Sequence, residues 1–123
     1  MKYLGLAYFT PEKFAAMATD DVKALVSQCP ALDEKMRATG KLLVSASLGD
    51  LDRWRTLRTR GGKAQVSDGP YTESKEVVGG LFIIEADSQD EALRIASMHP
   101  AAMLGEQGEW AVELIPLDFY LAG

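Results

Sequence analysis

One cysteine and one histidine among 123 residues exclude most thiol and metal chemistry at the outset. Cys29 has no partner with which to close an intramolecular disulfide, so a reducing cytoplasm is the expected setting. With His99 as the sole imidazole, a Cys/His zinc set cannot be assembled within one chain, and no metal site is expected. Positive charge is also scarce, because 13 Lys and Arg face 18 Asp and Glu for a formal net charge of −5. Nucleic acid and anionic membrane surfaces are therefore not expected as partners, since phosphate neutralisation needs a concentrated basic surface. The apolar run from Tyr3 to Phe9 is far shorter than the roughly 20 residues that span a bilayer. Thr10 and Pro11 follow it instead of a small-residue cleavage site. Gly61-Gly62 and Gly79-Gly80 are isolated pairs, and no phosphate-cradling loop precedes a helix, so no cofactor is expected.

What is present is the composition of an ordinary folded protein, 47% hydrophobic and 25% charged. A single domain over residues 1–123 is expected, with no linker or repeat to divide it. Lys2 to Phe9 is apolar on both faces, as in a central strand covered on both sides. Pro11 to Met17 reads as a short helical turn behind a Thr10 cap. Thr19 is the expected N-cap of the first main helix, in which Val22, Leu25, Val26 and Cys29 form an inner stripe. Pro30 should kink or break it, with Leu32 and Met36 continuing the stripe to Gly40. Lys41 to Leu48 alternates as a second strand, with Leu42, Val44, Ala46 and Leu48 on one face. Trp54 to Arg60 and Lys63 to Ser67 flank Gly61-Gly62 as a hairpin. Gly80 to Ala86 is a buried strand. Ser88 and Glu91 have capping-box spacing before a helix that Pro100 should stop, and Trp110 to Ile115 alternates as the last strand.

This order is that of an α+β, ferredoxin-like fold with an antiparallel sheet and an extra β-hairpin. Both helices should cover one sheet face. The other face is also apolar, and a second copy of the sheet is the economical cover, which predicts a homodimer closing as a dimeric α+β barrel.

Asp68-Gly69-Pro70-Tyr71-Thr72-Glu73-Ser74-Lys75-Glu76, followed by Gly79-Gly80, resembles the signature of the DGPF-domain family of YCII-related proteins, with Tyr71 where the signature usually has Phe. The likeness extends through the opening Lys2-Tyr3 strand, the capped helix ending in Pro100 and the final Val112-Glu113-Leu114 strand. The resemblance implies a dimeric α+β barrel in a bacterial cytoplasm, with no activity securely assigned to this branch. Some relatives use a proposed His and Asp pair, the His after the first strand and the Asp opening an Asp-Pro pair after the second helix. This chain has no His after its first strand, and His99 precedes Pro100 where the Asp would stand, so the pair is not carried over.

Asp68, Tyr71, Glu73, Lys75 and Glu76, with Arg58 of the hairpin, are the expected ligand-binding residues, at the mouth of a pocket between subunits. Asp68-Gly69-Pro70 also has a purely conformational use as a turn, and the charges after it have one as surface pairs. His99 is the one side chain that titrates near neutrality. It is a catalytic candidate beside Glu73 and Glu76, although its place at the end of a helix favours packing or capping. Arg53, Arg55, Arg58, Arg60 and Lys63 around Trp54 favour a solvated hairpin over a nucleic-acid surface. Three functions follow. The first is a homodimer binding a small organic ligand near Asp68 to Glu76. The second is a cofactor-independent lyase or isomerase working by proton transfer, with Lys75 or Arg58 as electrostatic support. The third is a regulatory interaction protein associated with transcription, suggested by the genomic company of related proteins.

Overall fold

Period-two alternation organises the first strand, β1 (Lys2–Phe9), whose Tyr3, Gly5 and Ala7 bury on one side while Leu4, Leu6 and Tyr8 turn to the other. The computed structural model describes residues 1–123. Three helices follow, α1 (Pro11–Ala16), α2 (Thr19–Val26) and α3 (Cys29–Arg37). The break between α2 and α3 falls at Ser27 and Gln28, so that Pro30 lies in the first turn of α3, where its missing N–H costs no helical bond. The remaining order is β2 (Leu42–Ser47), a short 3-10 turn, β3 (Arg55–Arg60), β4 (Lys63–Asp68), β5 (Val77–Glu85), α4 (Gln89–Ala96), α5 (Pro100–Met103), α6 (Gly105–Gly108) and β6 (Ala111–Pro116).

The four-stranded sheet runs β2-β5-β1-β6 with every neighbouring pair antiparallel. Phe82 and Ile84 of β5 are fully buried on the helical side, where they join Tyr3, Met36, Ala92 and Ile95 in one core. On the opposite side Leu6 pairs with Leu81 and Leu4 with Ile83, and Ile115 stands beside Leu4. These side chains are only half-buried, because no helix crosses them. In a single chain the sheet is open, not a closed barrel.

The hairpin is a separate two-stranded ribbon, Arg55 paired with Asp68 and Arg60 with Lys63. Gly61 and Gly62 turn it with φ of 56° and 77°, the left-handed region that a two-residue link requires.

Several expectations need correction. Thr19 is the first helical residue and not the cap; Ala18 takes that position without a side-chain bond. A register shift between Leu42 and Val44 separates the face of Leu42, opposite Ile84, from that of Val44 and Ala46, opposite Ile83 and Leu81. Such a bulge is invisible to alternation counting, because one extra residue reverses every side chain beyond it. Val26 is 47% exposed, and Cys29 belongs to the start of α3, not to an α2 stripe. Pro100 does not stop α4, which has already ended at Ala96; it opens α5.

Candidate functional site

A cleft of about 720 Å³ opens where α3, the exit of β2 and the His99-Pro100 corner stand over one end of the sheet. Its floor is made by Ala7 and Phe9 of β1, Ser45 and Ser47 of β2, and Gly79 and Gly80 of β5. Side chains at the two glycines would spoil that floor. A Cβ at Gly80 would lie 3.0 Å from the Ala46 carbonyl oxygen, and one at Gly79 would lie 2.9 Å from the Phe9 ring.

Aromatic edges enclose much of the volume. Phe14 meets Phe9 edge-on at 6.1 Å between centroids and Trp110 at 6.4 Å. Trp54, across the cleft, is pinned by its Nε1–H, which donates to the Gly49 carbonyl at 2.9 Å. Polar groups enter from α3, where Cys29, Asp33 and Arg37 recur at intervals of four and so share one helical face. Arg37 pairs with Glu34 at 3.6 Å on the exposed rim.

His99 sits in this lining as the N-cap of α5. The residue before a proline is driven to extended backbone, and His99 has φ −61° and ψ 142°. Its Nδ1 accepts the Ala101 N–H at 3.0 Å, doing the work of the usual Ser or Asp cap oxygen. The ring stacks on Phe82 at 4.8 Å between centroids and 21° between planes. Burial lowers its pKa from the ordinary 6.5, and the negative charge of Asp33 opposes the shift. Burial, with the same Asp33 charge second, raises the Cys29 thiol and so favours its protonated form over the nucleophilic thiolate.

Of the ligand-binding and catalytic candidates named from sequence, His99 alone lines the cleft. Arg58, Asp68, Tyr71, Glu73, Lys75 and Glu76 are all exposed and outside it in the single chain. Two of the six meet: the Arg58 guanidinium lies 5.6 Å from the centre of the Tyr71 ring. Asp68 instead pairs with Arg55 at 3.2 Å, and Glu76 offers its carbonyl to the Ser74 hydroxyl. The segment does adjoin the cleft, through the Gly69 N–H that donates to the Trp54 carbonyl at 2.9 Å and through Val78 just beyond it. Sequence reasoning missed Asp33, Arg37, Ser45, Ser47 and Trp110. The four-residue spacing of Cys29, Asp33 and Arg37 was the available signal, overshadowed by the apolar stripe of Leu32 and Met36. No three His, Cys, Asp or Glu side chains converge in a metal-binding arrangement. No helix is long and apolar enough to cross a membrane.

Comparison with known proteins gives three findings. The model of the YCII-related domain matches residues 1–115. An uncharacterized protein of Rhizobium meliloti (strain 1021) is 32% identical over 96 residues, which is 78% of this chain and 77% of that protein. Among solved structures, the 5-chloro-2-hydroxyhydroquinone dehydrochlorinase TftG of Burkholderia phenoliruptrix AC1100, in complex with 2,5-dihydroxybenzoquinone, aligns with a TM-score of 0.50 and 18% identity. That alignment covers 96% of this chain and 94% of the dehydrochlorinase.

Proposed function

Since this chain belongs to the YCII-related family, we propose that it is a cytoplasmic small-molecule-binding domain over residues 1–123, ferredoxin-like in topology and homodimeric, with its ligand in the cleft between α3 and the sheet. The observation that carries the reading is the cleft itself: a mostly apolar concavity with a few converging polar groups is the usual form of a ligand site. Its about 720 Å³ falls within the size range of such sites. TftG adds support at the level of the fold, as a protein of similar architecture that holds a hydroxylated ring compound.

Dimerisation rests on Leu4, Leu6, Leu81, Ile83 and Ile115, which form an apolar face that the chain's own helices leave uncovered. Pairing two such faces stacks one sheet on another and completes the dimeric α+β barrel. In that assembly the exposed Arg58, Asp68, Tyr71, Glu73, Lys75 and Glu76 form the outer rim of the cleft instead of its lining.

The test is a ligand-detected NMR screen of small aromatic and aliphatic acids, ketones and phenols, followed by amide shift mapping. Binders should move Ser45, Ser47, Gly80 and Ala101. A screen without binders, or binders that move only residues remote from the cleft, removes the reading.

A further inference from the structure

His99 performs its capping task in only one protonation state. Because Nδ1 accepts the Ala101 N–H, that nitrogen must carry no proton, and the proton of a neutral ring then resides on Nε2. A second proton, on Nδ1, would set two N–H groups head to head at 3.0 Å. The Phe82 stack and the extended backbone ahead of Pro100 hold the ring in place. The ionisable groups that share its cleft include Asp33, Glu34, Arg37 and Cys29 on α3 and Asp50 beyond β2; the Asp33 charge is the one that favours a cationic ring, against the burial that disfavours it.

We infer that His99 is a fixed neutral hydrogen-bond donor, through Nε2–H, and that it selects for the cleft an aromatic ring bearing an acceptor oxygen, such as an aryl ketone, a ring carbonyl or a phenolate. The ring preference follows from the lining, where Phe9, Phe14, Trp54 and Trp110 offer faces and edges to a flat π-system. The acceptor preference follows from His99, since a ligand that covers the Nε2–H and strips its water without accepting from it leaves a donor with its full desolvation cost. The same bond disqualifies His99 as a general base, because one ring nitrogen is engaged as an acceptor and the other already holds a proton. This inference rests on the cleft being a small-molecule site.

Two measurements decide it. With one histidine in the chain, the ring nitrogens of uniformly 15N-labelled protein are assigned without ambiguity. At pH 7 they should show an unprotonated Nδ1 and a protonated Nε2, with titration below the ordinary 6.5. An Nδ1–H tautomer, or a charged ring at neutral pH, overturns the assignment whatever the ligand. The second measurement compares acetophenone with ethylbenzene, matched in shape but for the carbonyl, in the wild type and in His99→Asp. Aspartate keeps a cap oxygen for Ala101 and carries no side-chain N–H. The ratio of acetophenone to ethylbenzene affinity should fall about three- to tenfold in the variant, the worth of one net hydrogen bond. An unchanged ratio rejects the donor role while leaving the cleft as a binding site. Failure of both probes to bind the wild type rejects the aromatic preference and this inference with it, while the broader screen of acids, ketones and phenols decides the cleft reading separately.

Discussion

At the scale of single residues, the tightest constraint is Gly5. Its neighbour Phe82 fills the space a side chain would need, so that a Cβ at position 5 would collide with the Phe82 ring. Phe82 is fully buried and is also the platform on which His99 stacks, which links a glycine on β1 to the cleft wall. Gly5→Ala should therefore cost about 1–3 kcal/mol or more by overpacking. It should also disturb the His99 ring signals, whereas an unchanged urea midpoint would show that Phe82 can move aside freely. A glycine in a strand signals a close approach of this kind, but the identity of the group that approaches is not written in the local sequence.

At the scale of elements, capping divides what can be anticipated from what cannot. Ser88 and Glu91 have box spacing, and the structure bears out the cap: the Ser88 hydroxyl oxygen accepts the Glu91 N–H at 3.1 Å. The Glu91 carboxylate reaches back to the Asp87 N–H at 3.1 Å, one residue before the usual partner. Ser88→Ala should lower stability by about 1 kcal/mol without altering the cleft, measurable as a lower urea midpoint with unchanged probe binding. The His99 cap was harder to foresee, since histidine is not among the common N-cap residues. Pro100 carried two meanings, stop for one helix and first turn of the next. Only the three-residue gap between Ala96 and Pro100 shows that the second applies. The Leu42 bulge belongs with these cases, because a register shift is a property of two paired strands and not of either alone.

At the scale of the whole molecule, the proposed homodimer makes the half-buried apolar outer face of the sheet the place to test assembly. Leu81 lies within it, across from Leu6 on one side and Ala46 on the other. Light scattering on the wild type should give twice the monomer mass of 13.4 kDa. Leu81→Arg should shift the population to monomer at micromolar concentration, because an unpaired guanidinium in a sheet-on-sheet interface meets a large desolvation cost. A wild type that is monomeric, or a variant that remains dimeric, places the interface elsewhere or abolishes it.

The succession of the main strands and helices along the chain and the two-sided apolarity of β1 and β5 were determined by the sequence itself. Each follows from local periodicity and from the turn chemistry of Gly and Pro, which act over a few residues. The cleft was decided only by the tertiary structure. It gathers Phe9, Phe14, Asp33, Ser45, Gly80, His99 and Trp110 from elements far apart in the chain, and no local pattern encodes which of them will meet. The charged segment after Asp68 drew attention because its residues are chemically versatile and adjacent in sequence. Burial and convergence in space are properties of the fold instead: they bring to the cleft a histidine held by a backbone N–H and an aromatic shelf, while the segment after Asp68 lies on the exposed surface.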